Sequence, residues 1–81
     1  MKEMTIVELA RMIRKDWEQV SPRAEPYLVA MEQLVDIKDT YGTDKGRMIV
    51  AYFLCNAVNW RGDLAHNIKK ELNRRIIETL K

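Results

Sequence analysis

Apolar residues recur at helical spacing in four separate stretches of the chain, with polar residues at the intervening angles. In the first, Ile6, Leu9, Ala10, Ile13, Trp17 and Val20 return every three or four positions, while Glu8, Arg11, Lys15 and Glu18 fall elsewhere, so one face packs and another is wet. Thr5-Ile6-Val7-Glu8 fits a capping box, in which a hydroxyl and a carboxylate satisfy free amides of the first turn; Met4 and Leu9 are placed to staple across it. The pattern predicts a first helix that begins here and ends near Gln19.

Ser21-Pro22 and Glu25-Pro26 then punctuate the chain, because proline is tolerated in a first helical turn but clashes farther in. A short second helix is predicted to start by Pro26, with Tyr27, Ala30, Met31 and Leu34 as its buried face. Residues 36–41 read as a connector, with Asp36 and Asp39 as caps and turn formers, and Gly42 as a left-handed stop. Thr43-Asp44 reads as the start of a third helix, a cap hydroxyl followed by a carboxylate that suits the positive end of the dipole.

Within residues 48–58 every position except Asn56 is apolar or aromatic, a density that predicts a central, mostly buried helix. Ile49, Val50, Tyr52 and Phe53 also favour a buried strand, but the length of the run, its missing turn signals and its helical neighbours weigh against one. The last helix is expected to begin at either of two caps, Asn59 or Asp63, and to run toward Leu80, with Leu64, Ile68, Leu72, Ile76 and Leu80 as a stripe. The expected fold is therefore all-α, a compact bundle of three to four helices forming a single domain over residues 1–81. A core this small is marginal alone, so assembly as a homo-oligomer is expected.

Composition narrows the picture. Apolar residues make up 47% of the chain and charged ones 32%, the balance of a folded domain rather than a disordered segment. The single cysteine, Cys55, has no partner for a disulfide or a cysteine zinc site; it reads as a small buried hydrophobe in a reducing compartment. Met1-Lys2-Glu3-Met4 leads into a charged stretch without the apolar core of a signal peptide, and no run approaches the roughly 20 apolar residues of a membrane span. The expectation is a soluble cytoplasmic protein that does not enter the membrane. Fourteen basic against twelve acidic side chains leave a net charge of +2, so any anion site must be local.

Four constellations carry chemistry. Asn59-Trp60-Arg61-Gly62-Asp63 joins glycine, a forked guanidinium and an aromatic face at a helix start, suited to phosphate and a stacked base; the bland reading makes Trp60 a core anchor, Arg61 an ion-pair partner and Gly62 a turn residue. Its Arg-Gly-Asp triplet would interest an integrin only in an exported protein. Tyr41-Gly42-Thr43-Asp44-Lys45-Gly46-Arg47 repeats these ingredients; it lacks the spacing of a P-loop, and an ordinary turn and cap would also account for it. Lys45, Tyr52, Asn56 and Asn59 would share one narrow sector of the central helix, either as a pocket wall between the two junctions or as a solvent-facing edge. Lys69, Lys70, Arg74 and Arg75 give the last helix a basic surface, interrupted by Glu71 and Glu78. That surface suits a DNA backbone or simply solvent. His66 is the only histidine and stands in no catalytic or metal-binding pattern, so neither an enzyme nor a cofactor is expected. The ligand-binding candidates are Tyr41, Lys45, Gly46, Arg47, Asn56, Asn59, Trp60, Arg61 and Gly62.

Pro26-Tyr27-Leu28, Tyr41-Gly42-x-Asp44, Tyr52-Phe53-Leu54-x-Asn56-Ala57-x-x-Trp60-Arg61-Gly62 and Ile68-Lys69-x-Glu71-Leu72 together resemble small proteins encoded by phages and prophages, over residues 26–72. No residue's role transfers from that group. The resemblance implies a setting, since short phage proteins often block host enzymes or sequester immune signals, the latter as symmetric oligomers with nucleotide pockets between subunits. It implies an anti-defence sponge for a phosphate-bearing nucleotide. The alternative is an interaction module that inhibits a host defence protein or regulates phage genes, with DNA binding through the last helix a further version.

Overall fold

Thr5 Oγ1 accepts from the Glu8 amide at 3.1 Å and Glu8 Oε1 accepts from the Thr5 amide at 2.8 Å, so the capping box forms as expected. It opens the first element of a computed structural model that describes residues 3–81. Met1 and Lys2, part of the stretch read as lacking a signal-peptide core, lie outside the described residues. Helix α1 is Ile6–Asp16, α2 Glu25–Met31, α3 Gly46–Cys55 and α4 Asp63–Thr79. The helices pack in a closed cycle, α1 against α2, α2 against α3, α3 against α4 and α4 against α1.

Each helix turns its apolar stripe inward. Ile6, Leu9, Ala10 and Ile13 of α1, Leu28, Ala30 and Met31 of α2, Ile49, Val50 and Phe53 of α3, and Ala65, Ile68 and Leu72 of α4 form one core. Burying each large aliphatic or aromatic side chain contributes about 2 kcal/mol. Trp17, Phe53 and Trp60 meet at its centre: the two indoles stack at 6.1 Å, and Phe53 stands edge-on to both at 6.2 and 6.4 Å. Arg14 clamps α1 to α2 with a two-pronged bond to Glu32 and an ion pair to Glu25, at opposite ends of α2.

Several expectations are corrected. The fold is mostly helical rather than all-α, because β1 (Thr40–Tyr41) and β2 (Asp44–Lys45) pair antiparallel, with Thr40 opposite Lys45 and Tyr41 opposite Asp44. Gly42 is left-handed as expected, at φ 63°, but it serves the two-residue hairpin turn rather than a helix end. Its positive φ beside a Thr43 of negative φ has the signs of a type II′ turn. Thr43-Asp44 therefore does not start α3, whose N-cap is Lys45.

Helix α1 stops at Asp16, before Gln19, because Trp17 leaves helical geometry to reach the aromatic centre. Cys55 is exposed, not buried, since α3 turns its opposite face to the core and ends there. Helix α4 starts at Asp63 with Gly62 as its cap, and of its expected stripe Leu64 and Leu80 lie exposed, near or beyond the ends of the face that α1 and α3 cover. Among the described residues no helix is long and apolar enough to cross a membrane.

Candidate basic groove beside the hairpin

Successive side chains on a strand point to opposite faces, and directly opposed residues share one. The hairpin therefore presents Thr40 with Lys45 on one side and Tyr41 with Asp44 on the other. Each pair lines a different groove.

On the Thr40–Lys45 side a groove of about 290 Å³ is lined by Ile37, Lys38, Thr40, Lys45, Arg47 and Thr79. Four segments converge here: the loop after α2 supplies Lys38, the hairpin supplies Lys45, the first turn of α3 supplies Arg47, and the end of α4 supplies Thr79. Among the described residues no carboxylate lines this groove, and none pairs with Lys38, Lys45 or Arg47. Three like charges around one concavity repel one another and raise a local positive potential, which a bound anion relieves. Thr40 adds a hydroxyl group that donates or accepts hydrogen bonds, whereas the Thr79 hydroxyl donates to the Ile76 carbonyl at 2.7 Å.

The groove's shape is set by a close approach. The Gly46 amide donates to the Asp39 carbonyl at 2.8 Å, and a Cβ on Gly46 would lie 2.5 Å from the Ile37 carbonyl oxygen and 2.8 Å from that of Asp39. Asp39 in turn accepts from the amides of Val35 and Asp36 at 3.2 and 2.9 Å, and Asp36 from the amide of Lys38 at 2.9 Å. The loop carrying Lys38 is thus docked on the start of α3. The Gly46 amide itself is taken by the backbone rather than offered to a ligand.

Of the nine residues singled out in the sequence, Lys45 and Arg47 line this groove and Gly46 shapes it. Tyr41 lies across the hairpin, in a groove with Tyr27 and Tyr52. Asn56 and Asn59 line a third groove, with Ser21, Pro22, Arg23, Cys55 and Val58, at the far end of α3. Ten residues of helix, about 15 Å, separate the two ends. The polar seam does not form along one helix, because Lys45 belongs to the hairpin and Asn59 follows the end of α3.

Trp60 is 2% exposed, and its indole N–H donates to Asp16 Oδ2 at 2.8 Å. Its ring offers no open face for a base, so the core-anchor reading describes its place. Arg61 is exposed and its Nε reaches only the Val58 carbonyl, at 3.4 Å, while Gly62 is the α4 cap at φ 114°.

The basic face of α4 is largely engaged inside the molecule. Arg74 bonds Glu71 and Glu3, Arg75 bonds Glu71 and the Met4 carbonyl, and the Lys69 ammonium turns inward to the carbonyls of Ala57 and Trp60. Lys69 also sits 5.6 Å from the Trp60 ring centre. Burial, then the nearby charge of Arg61, pushes its pKa below the usual lysine range. Of the four basic residues, only Lys70 has no polar or charged partner among the described residues. Sequence reasoning missed Lys38, Thr40 and Thr79; Lys38 sits in a turn whose only signal was its flanking aspartates. No protein-family profile, curated protein or solved structure matches the chain.

Proposed function

We propose that this protein is a non-enzymatic binder of a phosphate-bearing nucleotide, held by Lys38, Lys45 and Arg47, and that it acts as a homo-oligomeric sponge. The observation that carries the reading is the convergence of three unpaired cations and the Thr40 hydroxyl on one groove that, among the described residues, no carboxylate lines. A phosphate would accept from both kinds of donor, and Arg47 can engage it with two parallel N–H bonds. The exposed apolar side chains of Ile77 and Leu80, near the end of α4, favour a second copy that covers them. The phage setting, and with it an anti-defence role, rests on the resemblance of residues 26–72.

Calorimetric titration with cyclic and ADP-ribose-type nucleotides tests the reading. Saturable binding that weakens with salt and is abolished in Lys45→Glu/Arg47→Glu supports it. Absence of heat at micromolar protein across the panel, or binding unaltered by that pair of substitutions, overturns it.

A further inference from the structure

All three tyrosines of the chain, on three different elements, line one groove of about 340 Å³ between α2, the hairpin and α3. Tyr27 comes from α2, Tyr41 from β1 and Tyr52 from α3, and Pro26, Ala30, Asp44, Met48 and Ile49 complete the wall. The Tyr27 and Tyr52 rings stand 5.6 Å apart at 39°, a wedge rather than a closed stack. Tyr41 and Tyr52 are 43% and 48% exposed, so large aromatic surface stays in water although a core lies directly beneath.

The charge of this groove is the reverse of its neighbour's. Among the described residues Asp44 is the one ionisable group other than the tyrosines that lines it, no cation does, and Asp44 makes no ion pair. Aromatic ring faces carry negative potential, and a carboxylate beside them adds a full charge. An anion is repelled here, and a neutral apolar guest gains nothing from the exposed carboxylate of Asp44. A strongly hydrated primary ammonium would lose more solvation than the rings return, whereas an alkylated ammonium spreads its charge over methyl groups that fit against them. Met48 adds a soft, polarizable wall suited to methyl groups.

We infer that the Tyr27–Tyr41–Tyr52 groove is a binding site for an alkylated ammonium cation, held by the three rings and balanced by Asp44. The site stands on the face of the hairpin opposite the basic groove and does not depend on it. The same cation occurs as a free choline-type molecule or as a trimethylated lysine side chain on a protein.

Two-dimensional NMR titration of the full chain tests the assignment, with choline, a peptide containing trimethyllysine, and 3,3-dimethylbutanol, the neutral carbon isostere of choline. Saturable shifts centred on Tyr27, Tyr41, Met48 and Tyr52 are expected with the cations, and binding of the isostere about fivefold weaker, the size of a cation–π contribution at a partly exposed site. Asp44→Asn and Tyr52→Leu, both at exposed positions, should each weaken cation binding severalfold while leaving the urea midpoint near that of the parent. Tighter binding of choline or of the peptide tells which source the site prefers, and either supports the class. Equal binding of the cation and its isostere overturns the inference, as does the absence of saturation at millimolar probe or an unchanged affinity in both variants.

Discussion

The ammonium of Lys69, on the second turn of α4, donates to the carbonyl of Trp60 at 2.6 Å and lies over the same residue's ring. With a second bond to the Ala57 carbonyl at 2.8 Å, which also takes the Trp60 amide at 3.1 Å, it closes the segment between α3 and α4 and supplies the Trp60 carbonyl with a donor. Lys69→Met keeps the aliphatic stem and removes the donor, so urea unfolding should show a loss of about 1–3 kcal/mol. Lys70→Met, one residue on and exposed, should leave stability nearly unchanged. Equal effects of the two substitutions would refute the clasp.

Gly46→Ala places a methyl group against two backbone carbonyls that have little room to retreat. A cost of about 1–3 kcal/mol or more is expected from overpacking. Gly42→Ala meets no neighbour within 4 Å and bears the backbone strain of a positive φ of 63° alone, about 1–3 kcal/mol. Thermal unfolding of Gly46→Ala should therefore show a clear loss of stability. An unchanged midpoint would show that the loop from Ile37 to Asp39 is not docked as described.

Glu71 is held at a pKa of about 2, against its ordinary 4.5, first by the hydrogen bond from Arg74 and then, against the opposing effect of partial burial, by Arg75. A carboxyl whose folded pKa is depressed stabilises the fold above its unfolded pKa and loses that contribution as pH falls through the folded one. The loss therefore develops between pH 4.5 and about 2. Solvent screens a pair this exposed, so Glu71→Gln should cost about 1 kcal/mol near neutral pH. Acid titration of the fold should be flatter below pH 4.5 in the variant than in the parent.

Cys55 is exposed, so a thiol-specific reagent should modify the folded chain without denaturant. The unfolding midpoint of the modified protein should stay close to that of the parent. Protection of the thiol until urea is added would restore the buried position that the apolar run suggested.

The outcome for Cys55 illustrates where the sequence was legible and where it was not. Periodicity placed Ile6, Leu9, Ala10 and Ile13 correctly because in α1 a wet face and a dry face alternate in the letters themselves. In α3 apolar residues surround the helix, so the pattern lost its phase: Ile49, Val50 and Phe53 are inside while Met48, Tyr52 and Cys55 are out. The hairpin was hidden for another reason. Two-residue strands leave no alternation to read, and the glycine at the first turn position of Tyr41-Gly42-Thr43-Asp44, a hairpin signal, competed with a plausible helix cap.

The candidate site was legible in its ingredients and not in its assembly. Lys45 and Arg47 do share a groove, but Lys38 and Thr79 come to it from elements remote in sequence. Trp60 and Arg61 were drawn toward ligand chemistry by the company they keep in the chain, although Trp60 faces Asp16, forty-four residues away.

The partition of aromatic residues has a practical corollary. Both tryptophans are enclosed at the centre of the bundle, whereas all three tyrosines border one surface groove. Indole emission should therefore report on the integrity of the interior, and phenol absorbance on occupancy at the periphery. The molecule carries two native optical channels, so denaturation and ligation can be followed separately in an unlabelled sample.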